Sequence, residues 1–160
     1  MNAVKDRIGL EFFSRIRIGE TDPETGKVKV IGDSGWTGPN QVVNLGFQDY
    51  ICAAVGGVAG SKQVTHMALG TGTAPGAADT DLAGETGDRK TSDNSVVSSK
   101  TMQATAAWAS GDHPGGTPTL QNVGLFNTSA GGTVCCGNTY ATSDWQSNQG
   151  VSATYQMRFT

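Results

Sequence analysis

The chain has 160 residues, 16% of them charged, with a formal net charge of −3 and 23 glycines. Such a length suits one domain that buries roughly 70% of the surface its extended chain would expose, and the composition lacks the Pro/Ser/Gln bias of a disordered chain. The balance of charge offers no basic footprint for nucleic acid, and no stretch approaches the ~20 apolar residues of a membrane-spanning helix, so neither partner is expected.

Residues 1–7 carry Lys5, Asp6 and Arg7 with no apolar run behind them, which is not the pattern of a secretory signal. The chain is therefore expected to stay in the cytosol until assembly, with Cys52, Cys135 and Cys136 reduced. A direct bond between the adjacent pair would be strained, and the count is odd. Packing as small residues is the role expected of them, because His66 and His113 lie at no useful metal-ligand spacing.

Residues 10–18 alternate: Leu10, Phe12, Ser14, Ile16 and Ile18 face one way, and Glu11, Phe13, Arg15 and Arg17 the other. This predicts a strand with one apolar side. Thr21-Asp22-Pro23-Glu24-Thr25-Gly26 supplies a turn, and residues 27–31 alternate again with Val28 and Val30 inward, which makes a β-hairpin. Residues 1–35 then read as an N-terminal arm and hairpin forming a distinct layer, and residues 36–160 as a β-sandwich domain. After a turn-rich break at 32–39, Asn44 is placed to cap a helix running to Val55, with Leu45, Tyr50, Ile51 and Val55 near helical spacing.

From residue 64 strands dominate, over 64–69, 95–109, 120–127, 133–140 and 151–160. The last alternates most clearly, with Val151, Ala153, Tyr155, Met157 and Phe159 on one face and Ser152, Thr154, Gln156, Arg158 and Thr160 on the other; it is expected to pin the C-terminus in a sheet. The fold class is mainly β, an antiparallel β-sandwich with an N-terminal hairpin arm and one short helix laid across an edge or face. Trp108, in phase with Met102, Ala104 and Ala106, is expected in the core. Trp36 and Trp145 sit in Gly/Ser/Asp-rich loops and are candidate interface anchors. No repeat or heptad marks a fibrous shaft.

Catalytic signals fail on inspection, and no catalytic residue, cofactor or metal is expected. Gly32-Asp33-Ser34-Gly35 has the letters of a chymotrypsin-like nucleophile segment, but both histidines follow it, opposite to that order. Gly70-Thr71-Gly72 begins a dinucleotide fingerprint whose third glycine position is Pro75, and no Lys-Ser/Thr follows. Asp79, Asp81, Glu85 and Asp88 could gather calcium, but without EF-hand spacing the reading is that Asp79 caps a short helical turn and Glu85 lies in a solvated loop. Asn127-Thr128-Ser129 reads as a turn.

From Thr91 onward the only charged side chains are Asp93, Lys100, Asp112, Asp144 and Arg158. A polar surface so poor in charge is compatible with permanent packing against neighbours. Three segments then carry a resemblance. Met67-Ala68-Leu69-Gly70-Thr71-Gly72-Thr73-Ala74-Pro75 runs into Asp79-Thr80-Asp81-Leu82-Ala83-Gly84-Glu85; Val123-Gly124-Leu125-Phe126-Asn127 is followed by Gly131-Gly132-Thr133; and the alternating strand closes the chain. In that order they resemble structural proteins of tailed-phage virions, and Val42-Val43-Asn44-Leu45-Gly46 is similar to the helix entry of the same proteins.

The resemblance implies a non-enzymatic virion protein assembled in the host bacterial cytoplasm. Its leading form is a capsid decoration (cement) protein that self-associates, as a trimer, and packs on the major capsid protein or other virion proteins. The alternative is a tail, baseplate or fibre-anchor adaptor; a third is a host-glycan-binding module that stacks sugars on Trp36 or Trp145. Residues 1–31 would be the docking element, and the interface candidates are Lys5, Arg7, Phe13, Arg15, Arg17, Trp36 and Trp145.

Overall fold

The alternation of the first strand carries through to the structure, a computed structural model that describes residues 9–39 and 41–160. In chain order the strands are β1 (Leu10–Thr21), β2 (Val28–Asp33), β3 (Gln41–Val42), β4 (His66–Gly70), β5 (Glu85–Thr91), β6 (Asp93–Ser98), β7 (Thr101–Trp108), β8 (Thr119–Phe126), β9 (Cys136–Asp144) and β10 (Gln149–Phe159). Between β3 and β4 the chain winds through one wide π-type turn, Gly46–Cys52, that runs into the short α-helix α1 (Ala53–Val55). Two five-stranded antiparallel sheets result. The first has the order β2-β1-β10-β7-β6, and the second β3-β9-β8-β4-β5.

The sheets pack face to face as a β-sandwich. Phe12, Ile16, Trp108, Ala153 and Tyr155 from the first meet Met67, Leu69, Val123, Leu125 and Cys136 from the second. Each large side chain so buried contributes about 1.5–3 kcal/mol. Trp108 is in the core as expected, and its Nε1 donates across the sandwich to the Asp88 carbonyl at 2.8 Å. Asn138 of β9 ties the layers from the other side, donating to Ser14 Oγ at 3.2 Å and Thr37 Oγ1 at 3.0 Å.

The hairpin of β1 and β2 forms, but not as a distinct layer. β1 lies between β2 and β10 and pairs with β10 from Leu10↔Phe159 to Glu20↔Gln149. The described residues before 36 are thus built into the same sandwich as the rest, because the strand's best partner lies at the far end of the chain. Val28 and Val30 do not face inward either; they are 66% and 53% exposed. A bulge is the reason: Ile18 pairs with Gly32 but Gly19 with Val30, so Ile31 is an extra residue that reverses the facing of everything before it.

The helix forms over residues 44–55 as its spacing predicts, wound as a π-type turn through Gly46–Cys52. No side-chain cap bond closes its start, and Asn44 donates its backbone N–H to Ala77 O at 2.7 Å instead. Tyr50 is buried, yet Val55 is 87% exposed. Gly46 sits where an added Cβ would overlap the Cys135 carbonyl, so only glycine allows this approach.

The predicted strand over 95–109 is two strands, β6 and β7, turning at Ser99 and Lys100. The strand expected over 133–140 is displaced to β9. The acidic stretch read as a loop becomes β5, pairing Glu85 with Gly70.

The segments 67–85 and 123–133 have a structural role in the second sheet. β4 and β8 are buried on both faces: one packs in the sandwich, and the other carries Ala68 and Phe126 beneath Val43, Leu82 and Val134. The loop of residues 71–84 is the cover. Thr71 N–H donates to Gly84 O and Gly72 N–H to Ala83 O, while buried Asn122 donates to Thr73 O at 2.8 Å and Ala83 O at 2.9 Å. Arg89 fixes the second loop, stacking 3.4 Å from the Phe126 ring centroid and donating to the carbonyls of Thr128 and Gly131.

Candidate interface on the open face of the first sheet

With the outer side of the second sheet roofed by its loops, the outer side of the first sheet is the broad face left uncovered among the described residues. Strand alternation sends Phe13, Arg15 and Arg17 of β1 to it. Register then sets Gln156 beside Phe13, Thr154 beside Arg15 and Ser152 beside Arg17, and continues into β7 with Gln103, Thr105 and Ala107. The face is Thr, Ser and Gln around a few cations, with the exposed Val28 and Val30 of β2 along one edge.

One end of the face is pre-organised. The Arg158 guanidinium lies 4.4 Å from the Phe13 ring centroid and 5.9 Å from that of Trp36, within the range of cation–π attraction. Arg158 Nε donates to Gln156 Oε1 at 3.1 Å, and Gln156 Nε2 donates to Gln103 Oε1 at 2.8 Å, so a polar chain joins β10 to β7. Trp36 arrives because β2 ends early and Thr37 takes over its place beside Ser14, with N–H···O bonds of 2.8 and 2.9 Å in the two directions. Gly38 allows the close pass: an added Cβ would lie 2.6 Å from Phe12 O and 2.7 Å from the Phe13 ring.

At the other end Asp33 holds two arginines. Arg15 Nε donates to its Oδ1 at 2.8 Å and Arg17 Nε to its Oδ2 at 3.1 Å. The Arg15 hydrogen bond, helped by the Gly35 N–H, pushes the Asp33 carboxyl far below the usual carboxylate range. Two cations on one anion leave a single positive charge at this end.

Four predicted interface residues, Phe13, Arg15, Arg17 and Trp36, therefore share one face. Lys5 and Arg7 lie outside the described residues. Trp145 is a correction, since it is fully buried; its Nε1 donates to Gln149 O at 2.8 Å and its ring meets His113 edge-on at 5.1 Å. The polar residues around it fold over the ring, with Gln146 N–H bonded to Gln149 Oε1, so it cannot serve as an exposed stacking platform. Sequence reasoning missed Gln103, Gln156 and Arg158 as members of the site. The alternation of β10 already put the last two on a polar face; what it lacked was their neighbour Phe13 at the other end of the chain.

The remaining candidates are occupied structurally. Ser34 Oγ accepts from Ile16 N–H at 3.0 Å and donates to Gly35 O at 2.8 Å, closing the edge of β1. Asp79 does not cap a helical turn: its Oδ2 accepts from Gly76 N–H at 2.8 Å within the covering loop. Glu85 is not a solvated loop residue but the start of β5, held by Arg89 at 2.7 and 2.9 Å. Among the described residues no three His, Cys, Asp or Glu side chains come together to hold a metal ion. Cys52 is exposed, Cys135 and Cys136 are buried in the core, and all three are free thiols; burial pushes the Cys136 thiol well above its ordinary value. The chain matches no family model, no curated protein and no solved structure.

Proposed function

We propose that this chain is a non-enzymatic structural protein of a tailed-phage virion, a decoration protein that packs on the head shell through the open face of its first sheet. The observation that carries this reading is the face itself. Strands spaced about 4.8 Å apart with a rise of about 3.3 Å per residue make it on the order of 600 Å², close to the roughly 800 Å² that each partner buries in a stable interface. Its Thr, Ser and Gln side chains cost less to desolvate than Lys or Glu. Arg158 is already stacked on rings, and Arg15 and Arg17 already share Asp33. The phage-like segments support the same reading.

Burial of this face on the shell would stabilise the assembled state by mass action. Mass spectrometry of purified virions, with this chain quantified against the major capsid protein, tests it. Comparable copy numbers are expected. A number far below that of the capsid protein would reject decoration and move the chain to the tail or a unique vertex, and its absence from virions would reject the reading altogether.

A further inference from the structure

Four strands form the sheet edges, and three of them are guarded against pairing. β3 has only two residues. β5 carries Glu85, Asp88, Arg89 and Lys90 and is irregular in register, and β2 carries Lys29 and the bulge at Ile31. Charges, bulges and shortness are the devices by which edges avoid adding another strand. β6 has fewer of them. Its sequence Asp-Asn-Ser-Val-Val-Ser has no lysine or proline, every residue is exposed, and Val96 and Val97 are 78% and 49% exposed. Its one irregularity, at Val97, lies next to the turn and leaves Asp93 to Val96 in regular pairing with β7.

An apolar groove of about 350 Å³ opens beside this edge, under the helix. Ile51 and Val55 form one side, and Met102, Met157 and Phe159 the other, with Asn94 of β6 at its border. Val96 pairs with Met102 and so points to the groove side of the sheet. An unguarded edge next to an apolar groove is the geometry of strand addition, in which main-chain bonds give affinity and alternate side chains fill the groove.

We propose that β6 pairs antiparallel with β6 of a second copy of this chain, extending the first sheet across a two-fold axis near Val96. The strand is self-complementary in that direction. Asp93 opens it and Lys100 follows its end, so antiparallel pairing carries each carboxylate to the lysine end of the other chain and sets Val96 beside Val96 of the second copy. A parallel copy would align like charges. The contact is isologous, as two-fold symmetry requires, and it leaves the open face of the first sheet free for another partner. The pairing does not depend on the virion reading: it concerns the purified chain alone, and its failure would leave the copy-number experiment untouched.

The test is sedimentation equilibrium of the purified full chain from 1 to 200 μM, with circular dichroism to check folding. The wild type is expected to dimerise. Val96→Lys, a change at an exposed position, should weaken association at least tenfold with an unaltered circular dichroism spectrum, whereas Val30→Lys on the β2 edge should leave association unchanged. Asp93→Lys should also weaken the dimer, and Asp93→Lys combined with Lys100→Asp should restore it. A wild type that stays monomeric at 200 μM would overturn the proposal. So would a dimer or trimer that survives Val96→Lys, or one that Val30→Lys disrupts.

Discussion

Asn122→Asp is the sharpest probe of how the covering loop is held. The side chain is buried, and its amide donates to two carbonyls, Thr73 O at 2.8 Å and Ala83 O at 2.9 Å. Aspartate has the same shape but no donor when ionised. Ala83 O keeps the Gly72 N–H, while Thr73 O loses its donor, so a lost bond and a bared carbonyl together cost about 2–4 kcal/mol. A protonated aspartate recovers one of the two bonds, and the folded state therefore raises the carboxyl pKa above its ordinary ~3.9. A raised pKa gives stability that is fully present below pH ~4 and is lost as pH rises, at about 1.4 kcal/mol per unit until the folded pKa is passed. By pH 6 the extra loss is about 3 kcal/mol, a large part of a typical 5–15 kcal/mol stability. Urea unfolding of the wild type, Asn122→Asp and Asn122→Ala at pH 4, 5 and 6 should show this added slope in the aspartate variant alone. Parallel pH profiles for Asn122→Asp and the wild type would refute the account.

Leu82→Ala empties the roof over Phe126 and Gly124 and should cost about 3 kcal/mol, read as a melting temperature lower by roughly 6–12 °C for a domain of this size. Gly72→Ala drives a Cβ to 2.5–2.6 Å from the backbone of Ala83 and should destabilise by about 2 kcal/mol or more, whereas Gly111→Ala meets nothing within 4 Å and should be neutral or slightly stabilising in the same denaturation series. Lys90 Nζ holds the Asp112 carboxyl below its ordinary range. The stability this gives is present above pH ~4 and lost as pH falls through the lowered pKa, so Lys90→Met should raise the Asp112 pKa in an NMR titration and flatten the acid limb of the stability curve.

Much of the fold was legible because period-two alternation reports burial directly. β1 and β10 show it, and both have the faces their sequences predict. The failures are equally physical. Val28 and Val30 alternate correctly, but the bulge at Ile31 changes which face they reach, and a bulge leaves no mark in an apolar–polar pattern. β6 and β7 ran together because Ser99 and Lys100 turn the chain without Gly or Pro. β5 hid because its charges are neutralised in pairs, Glu85 with Arg89 and Lys90 with Asp112, which the sequence spells as a solvated loop. Trp145 misled for a related reason: its neighbours are polar because they bond to one another over the ring. The candidate face was half legible. Phe13, Arg15 and Arg17 came from one strand, but only the pairing of β1 with β10, at the far end of the sequence, brings Arg158 to Phe13.

The loops that roof the second sheet and the candidate face occupy opposite sides of the molecule, and this bears on what each can tell. Residues 67–85 and 123–134 build and roof the second sheet, and their glycines answer to specific contacts: Gly72 to the Ala83 backbone, and Gly124 to Leu82, Phe126 and Val134. Such residues specify a sheet sealed by its own loops. The open face draws on Phe13 and Arg15 of β1, Gln103 of β7, and Gln156 and Arg158 of β10, outside both of those stretches. These segments then speak for the scaffold, and a partner must be read from the face. Because half-exposed side chains there bear little of the core, substitutions such as Gln103→Glu or Arg158→Gln should leave folding nearly intact while altering attachment, which makes them the cleaner probes of what this protein binds.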